Sequence, residues 1–140
     1  MNNIGLILSI VIGIGYCFLT ISNSSRQKDK YYYKLFNEKI FSIHIIGALL
    51  IGTFGLWRVI NFDNREFFYF NPLIYLMLLR LLNYLSLFIY KRPLILATRW
   101  DSPPKGKNGI KFFDKCMLFL LLLIPTGVSL FLLKLILEGV

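Results

Sequence analysis

Residues 72–90 read PLIYLMLLRLLNYLSLFIY, and the fold turns on what solvates those 19 positions. A helix of that length extends about 28 Å, close to the ~30 Å hydrocarbon core of a bilayer. Asn71-Pro72 in front of it is a helix start: asparagine is a good cap, and proline at the first helical position loses no needed donor. The stretch holds one charge, Arg80, at its ninth position, with Asn83 and Tyr84 at i+3 and i+4 on the same face. A charge at the bilayer centre costs at least ~2.5 kcal/mol on insertion scales, so what answers Arg80 is the central question. The seven acids fall in loops, at span ends or in the tail, and none is expected inside a span. Four fates are open to Arg80: bonding to Asn83, Tyr84 and carbonyls in the bundle; snorkelling into a water-filled cleft; binding an anion or lipid headgroup; or meeting an acid on another protein.

Three more stretches repeat the pattern: Ile4 to Ile21, Ile40 to Ile60 and Phe113 to Leu137. Hydrophobic residues make up 56% of the 140, and charged residues 16%, against about 25% charged in a typical soluble domain. The apolar surplus is concentrated in long runs, which points to lipid as the solvent. The expected fold is all-α, a single-domain integral membrane bundle of four transmembrane helices.

The flank of span one, Met1-Asn2-Asn3, carries no Lys or Arg, while Arg26, Lys28 and Lys30 follow the span. A secretory signal has the opposite arrangement, so an uncleaved span is expected. Gly5, Ser9, Gly13 and Cys17 recur every four residues on one face of span one. In span two, Ala48, Gly52 and Gly55 lie at i, i+4 and i+7. Such small-residue stripes let helices approach closely, and they serve either a foreign helix or the chain's own spans. His44, one turn inside span two, is either a proton-linked switch or a hydrogen-bonded interfacial histidine. Arg58 and Lys134 sit near span ends, where they can snorkel, and Pro125 predicts a kink in span four.

Loop two, Asn61 to Asn71, is crowded by Phe62, Phe67, Phe68, Tyr69 and Phe70, which reads as an interfacial aromatic girdle or a contact patch. Loop three, Lys91 to Phe112, is the most polar segment. Leu94 to Ala97 is an apolar patch too short to span, expected with Trp100 on the membrane surface. Pro103-Pro104 and Asn108-Gly109 are turn signals. Loop three is expected to be a mobile or partner-binding region, or a basic connector facing lipid. Loop one, Ser22 to Lys39, and loop three carry eleven Lys and Arg between them, and loop two carries one. By the positive-inside rule loops one and three are cytoplasmic and both termini lie on the outer side. The membrane is expected to be the inner membrane of a bacterium.

These features narrow the function classes. The net charge of +9 is accounted for by basic cytoplasmic loops, so nucleic acid is not an expected partner. No paired carboxylates, no nucleophile beside a base and no metal-ligand spacing stand out, so no catalytic residue, metal or cofactor is expected. Two classes remain. One is a non-enzymatic protein that associates laterally with a membrane partner, with Arg80, Asn83 and Tyr84 as the binding residues. The other is a small homo-oligomeric channel or transporter in which Arg80 binds anions.

A proline-started span at Pro72 followed by Arg92-Pro93, four spans and basic loops give the chain a format that resembles the small polytopic immunity proteins. Those protect bacteria from pore-forming toxins. The resemblance covers about a third of the chain and implies a partner held within the inner membrane. The outer termini depart from the cytoplasmic termini of the branch it most resembles. An accessory subunit of a larger membrane complex fits the same residues.

Overall fold

A computed structural model of the chain describes residues 3–62, 65–99, 101, 105–107 and 109–139. The Met1-Asn2 flank, Asp63, Trp100, Pro103-Pro104 and Asn108 lie outside them. Among the described residues the regular structure is entirely helical: α1 (Asn3–Ser22), a short α2 (Tyr31–Lys34), α3 (Glu38–Asn61), α4 (Asn71–Tyr90) and α5 (Phe112–Leu137). Two 3-10 turns, Gln27–Asp29 and Phe67–Phe70, complete it. Four stretches are long and apolar enough to cross a membrane: Asn3–Ser22, Glu38–Asn61, Phe67–Tyr90 and Phe112–Leu137.

The long helices alternate in direction. One end of the bundle holds the start of α1, the end of α5 and the α3–α4 connection. The other, basic end holds α2, the start of α3 and the segment after α4. Each boundary has a local cause. Asn37 is extended and its side chain accepts the Lys39 N–H, starting α3. Lys91 ends α4 in the left-handed region, at φ 55°, a position glycine or asparagine usually fills. Asp114, in the first turn of α5, accepts the Lys111 N–H at 2.8 Å. α5 runs unbroken through Pro125, and the Thr126 hydroxyl donates to the Leu122 carbonyl at 2.7 Å.

The α3–α4 connection is where the structure departs most from an aromatic girdle. Phe67–Phe70 turns inward, and Phe68 and Tyr69 are buried. The turn packs among α1, α3 and α5. A Cβ at Gly13 would overlap the Phe68 carbonyl, and one at Gly55 would overlap the Tyr69 side chain. Gly52 faces the Phe70 ring and Gly5 backs onto the Arg58–Glu66 pair. With Ser9 and Ala48 also buried, both small-residue stripes are occupied by the chain's own elements. The Ser129 hydroxyl of α5 faces the turn, with its proton directed to Asn71 Oδ1 at 2.6 Å. Arg58 does not snorkel outward: it holds the fully buried Glu66 through two bonds, at 2.9 and 2.7 Å.

The re-entrant turn also resets the depth of α4. Its first residue, Asn71, is buried and accepts from Ser129 at 2.6 Å rather than capping the helix. Asn71 lies against Gly13, halfway along α1. α4 therefore starts midway through the bundle and extends past the ends of α1 and α3 at the basic end.

There the segment after α4 is folded against the bundle instead of lying on a membrane surface. Leu94, Ile95 and Leu96 are buried in an extended strap, residues 92–97. Asn83 accepts the Leu94 N–H at 3.1 Å, and the Tyr32 hydroxyl accepts the Leu96 N–H at 2.8 Å. Burial pushes the Tyr32 hydroxyl above the ordinary tyrosine range. Arg92 donates to both oxygens of Asp114, at 3.2 and 2.6 Å, and to the carbonyls of Pro93 and Gly109. Lys30, fully buried, pairs with Asp101 and donates to the Leu96 carbonyl at 3.0 Å. Two charges that the sequence assigns to solvated basic loops are thus interior groups with interior partners.

Candidate functional site

Arg80 lies nine residues beyond Asn71, about 13 Å along α4. Because α4 starts so deep, that distance brings Arg80 level with the first turn of α3. Its Nη1 donates to the Phe36 carbonyl at 3.3 Å, and its Nη2 is 3.6 Å from the Glu38 carboxylate. The guanidinium sits over the Phe41 and Tyr84 rings, at 4.9 and 5.4 Å from their centroids. The expectation that no acid of the chain can pair with Arg80 is therefore corrected. Glu38 does so from the helix end next to it, because the arginine is at an end of the packed helices and not at their middle.

The pair is loose. Arg80 keeps 21% of its side-chain exposure, and Glu38 keeps 88%. Exposed pairs of this kind contribute about 0–1 kcal/mol. The three residues read from the sequence as one site separate: Tyr84 stays with Arg80, whereas Asn83 is buried and turned to the strap. Reading α4 as a lone helix put all three on one face, and only the strap residues, hidden in loop three, tell them apart.

Below Arg80 an open groove runs between α3 and α4. Its volume is about 540 Å³, and its walls are Phe41, Ile45 and Leu49 on one side and Leu73, Met77, Leu81 and Tyr84 on the other. Among the described residues that line it, Arg80 alone is charged.

A second polar cluster joins α1, α2 and α3. The Tyr16 hydroxyl lies 2.9 Å from His44 Nδ1 and the Tyr31 hydroxyl 3.0 Å from Nε2. Both ring nitrogens are thus engaged by phenols, the arrangement of a hydrogen-bonded histidine. Beside it the Thr20 and Tyr75 hydroxyls are hydrogen-bonded at 2.8 Å. The pairing of Tyr31 with His44 depends on how the 23–37 connection folds back on α3.

Among the described residues no three His, Cys, Asp or Glu side chains gather as a metal site. The buried acids are each held by the chain: Glu66 by Arg58 and Asp114 by Arg92. Tyr69 Oη and Asn71 Nδ2 are buried without a partner among the described residues, both at the re-entrant turn. Set against known protein families, curated proteins and solved structures, the chain matches none.

Proposed function

We propose that the chain is a non-enzymatic, multi-pass protein of the bacterial inner membrane that acts by lateral helix–helix association with a membrane partner. Immunity to a membrane-inserting toxin and an accessory place in a membrane complex are the two forms of that role. In this reading loops one and three face the cytoplasm and both termini face outward, as the eleven basic residues on those loops favour.

The observation that carries the reading is the outer face of α3. Ile43, Ile46, Leu50 and Trp57 are all more than half exposed. They recur at spacings of three, four and seven, the seam spacing of a helix pair. The opposite face, with Ala48, Gly52 and Gly55, is already occupied. Only 17% of the apolar stretch of α3 is buried, the same as in α5, against 33% in α1 and in Phe67–Tyr90. With the small-residue stripes used internally, this seam replaces them as the surface on which a partner helix docks.

A photo-crosslinking residue at Leu50, in native membranes, should give one discrete heavier product containing a second protein, and one at buried Ile21 should not. Adducts to lipid alone at Leu50 would remove the reading. Adducts only to a second copy of this chain would favour the other reading, a small homo-oligomeric channel or transporter in which Arg80, still partly exposed, binds anions. In that case liposomes containing the pure protein should pass anions.

A further inference from the structure

We propose that the α3–α4 groove is a site for one anionic phospholipid, its phosphate on Arg80 and one acyl chain between the two helices. The inference rests on the membrane reading but not on a protein partner. Three features of the groove select this occupant. The first is chemistry: seven apolar or aromatic side chains and one guanidinium line it, the division of a lipid into tail and charged head. The second is length. From Arg80, where the phosphate sits, down to Leu73 the α4 wall covers about 10 Å, which lies within one leaflet of the ~30 Å hydrocarbon core. A foreign transmembrane helix would need both leaflets. The third is position. Arg80 lies level with the start of α3, at the basic end of the bundle, where Lys34 and Lys39 are exposed and anionic headgroups collect.

The arginine is prepared for this role. The Phe36 carbonyl and the rings of Phe41 and Tyr84 fix the guanidinium. Glu38, at 3.6 Å and almost fully exposed, is its weakest contact. A phosphate can displace that carboxylate into water at small cost and accept from the same nitrogens. Glu38 is then a competitor of the lipid, and removing it should strengthen binding.

The test uses the full chain purified in mild detergent and exchanged with phosphatidylglycerol or phosphatidylcholine of identical acyl chains. Lipid retained per chain is read by native mass spectrometry. Wild type should retain one phosphatidylglycerol in preference to phosphatidylcholine by about five-fold, the effect of about 1 kcal/mol for one surface cation near anionic lipid. Arg80→Gln should abolish the preference, and Glu38→Gln should increase it. Met77→Trp, which fills the groove and leaves every charge in place, should lower retention of phosphatidylglycerol.

Equal retention of the two lipids by wild type would overturn the proposal. So would an Arg80→Gln chain that keeps the preference, or a Met77→Trp chain that retains lipid as wild type does. Displacement of the lipid by inorganic phosphate would mean a simple anion site and would equally overturn it, as would a disulfide between copies formed through cysteines placed at Met77 and Leu81. Extraction of the chain from membranes by alkaline carbonate would instead overturn the membrane reading itself.

Discussion

Arg80 and Arg92 stand twelve residues apart and invert the expectation attached to each. Arg80 lies in the middle of an apolar stretch, yet it is partly exposed and loosely paired. Arg92 lies in a polar loop, yet its side chain is 8% exposed and bonded to Asp114, Pro93 and Gly109. What separates them is the organisation of acceptors around the charge. Near Arg92 the strap and the first turn of α5 present a carboxylate whose remaining lone pairs are taken by the Ile95 and Lys111 N–H groups. Near Arg80 one carbonyl and one exposed carboxylate stand beside open apolar surface. A buried ion pair repays desolvation only in the first kind of setting.

The comparison is most easily broken at Asp114. Asp114→Ala leaves a buried guanidinium and two N–H groups without their acceptor, and should cost about 3–5 kcal/mol, measured by equilibrium unfolding in mixed micelles. A loss near that of Arg80→Leu would erase the distinction between the two arginines. Next in size is Gly13→Val. It overlaps the Phe68 carbonyl, which is backbone and cannot swing aside, so about 3 kcal/mol is expected, at the upper end of overpacking costs. Gly15→Val, where a Cβ meets open space, is the control and should change little. Tyr32→Phe removes the acceptor of the Leu96 N–H and should cost about 1–2 kcal/mol, with faster hydrogen exchange in the 94–96 strap. The smallest effect belongs to Arg80→Leu. Its stability cost should stay below about 1 kcal/mol, and a larger loss would show that Arg80 is a structural charge like Arg92.

The four apolar helices were legible because hydropathy and helix length are properties of contiguous residues. The expected spans Ile4 to Ile21, Ile40 to Ile60, Pro72 to Tyr90 and Phe113 to Leu137 lie within α1, α3, α4 and α5 and differ from their bounds by two residues at most. The tight glycine faces were also legible, since Gly5, Gly13 and Gly55 all meet close neighbours. Their neighbour was not. Phe67–Phe70 carries the aromatic composition of a membrane interface, and nothing local distinguishes a girdle from rings turned inward. Arg80 was misplaced for the same reason: its depth depends on where α4 begins, and that is decided by the turn before it. The strap escaped notice because its partners, Tyr32, Asn83 and Asp114, come from three separate segments. Four apolar residues in a basic loop do not announce them.

One helix completes two separate polar contacts. Asp114 and Ser129 both belong to α5, the last of the four long helices in chain order. Everything up to residue 111 contains Arg92 without its carboxylate and Asn71 without its hydroxyl partner. Arg92, in the strap after α4, and Asn71, at the start of α4, both depend on α5 for these partners. Packing of that one helix supplies a carboxylate to a charge at one end of the bundle and a hydroxyl to an amide at mid-depth.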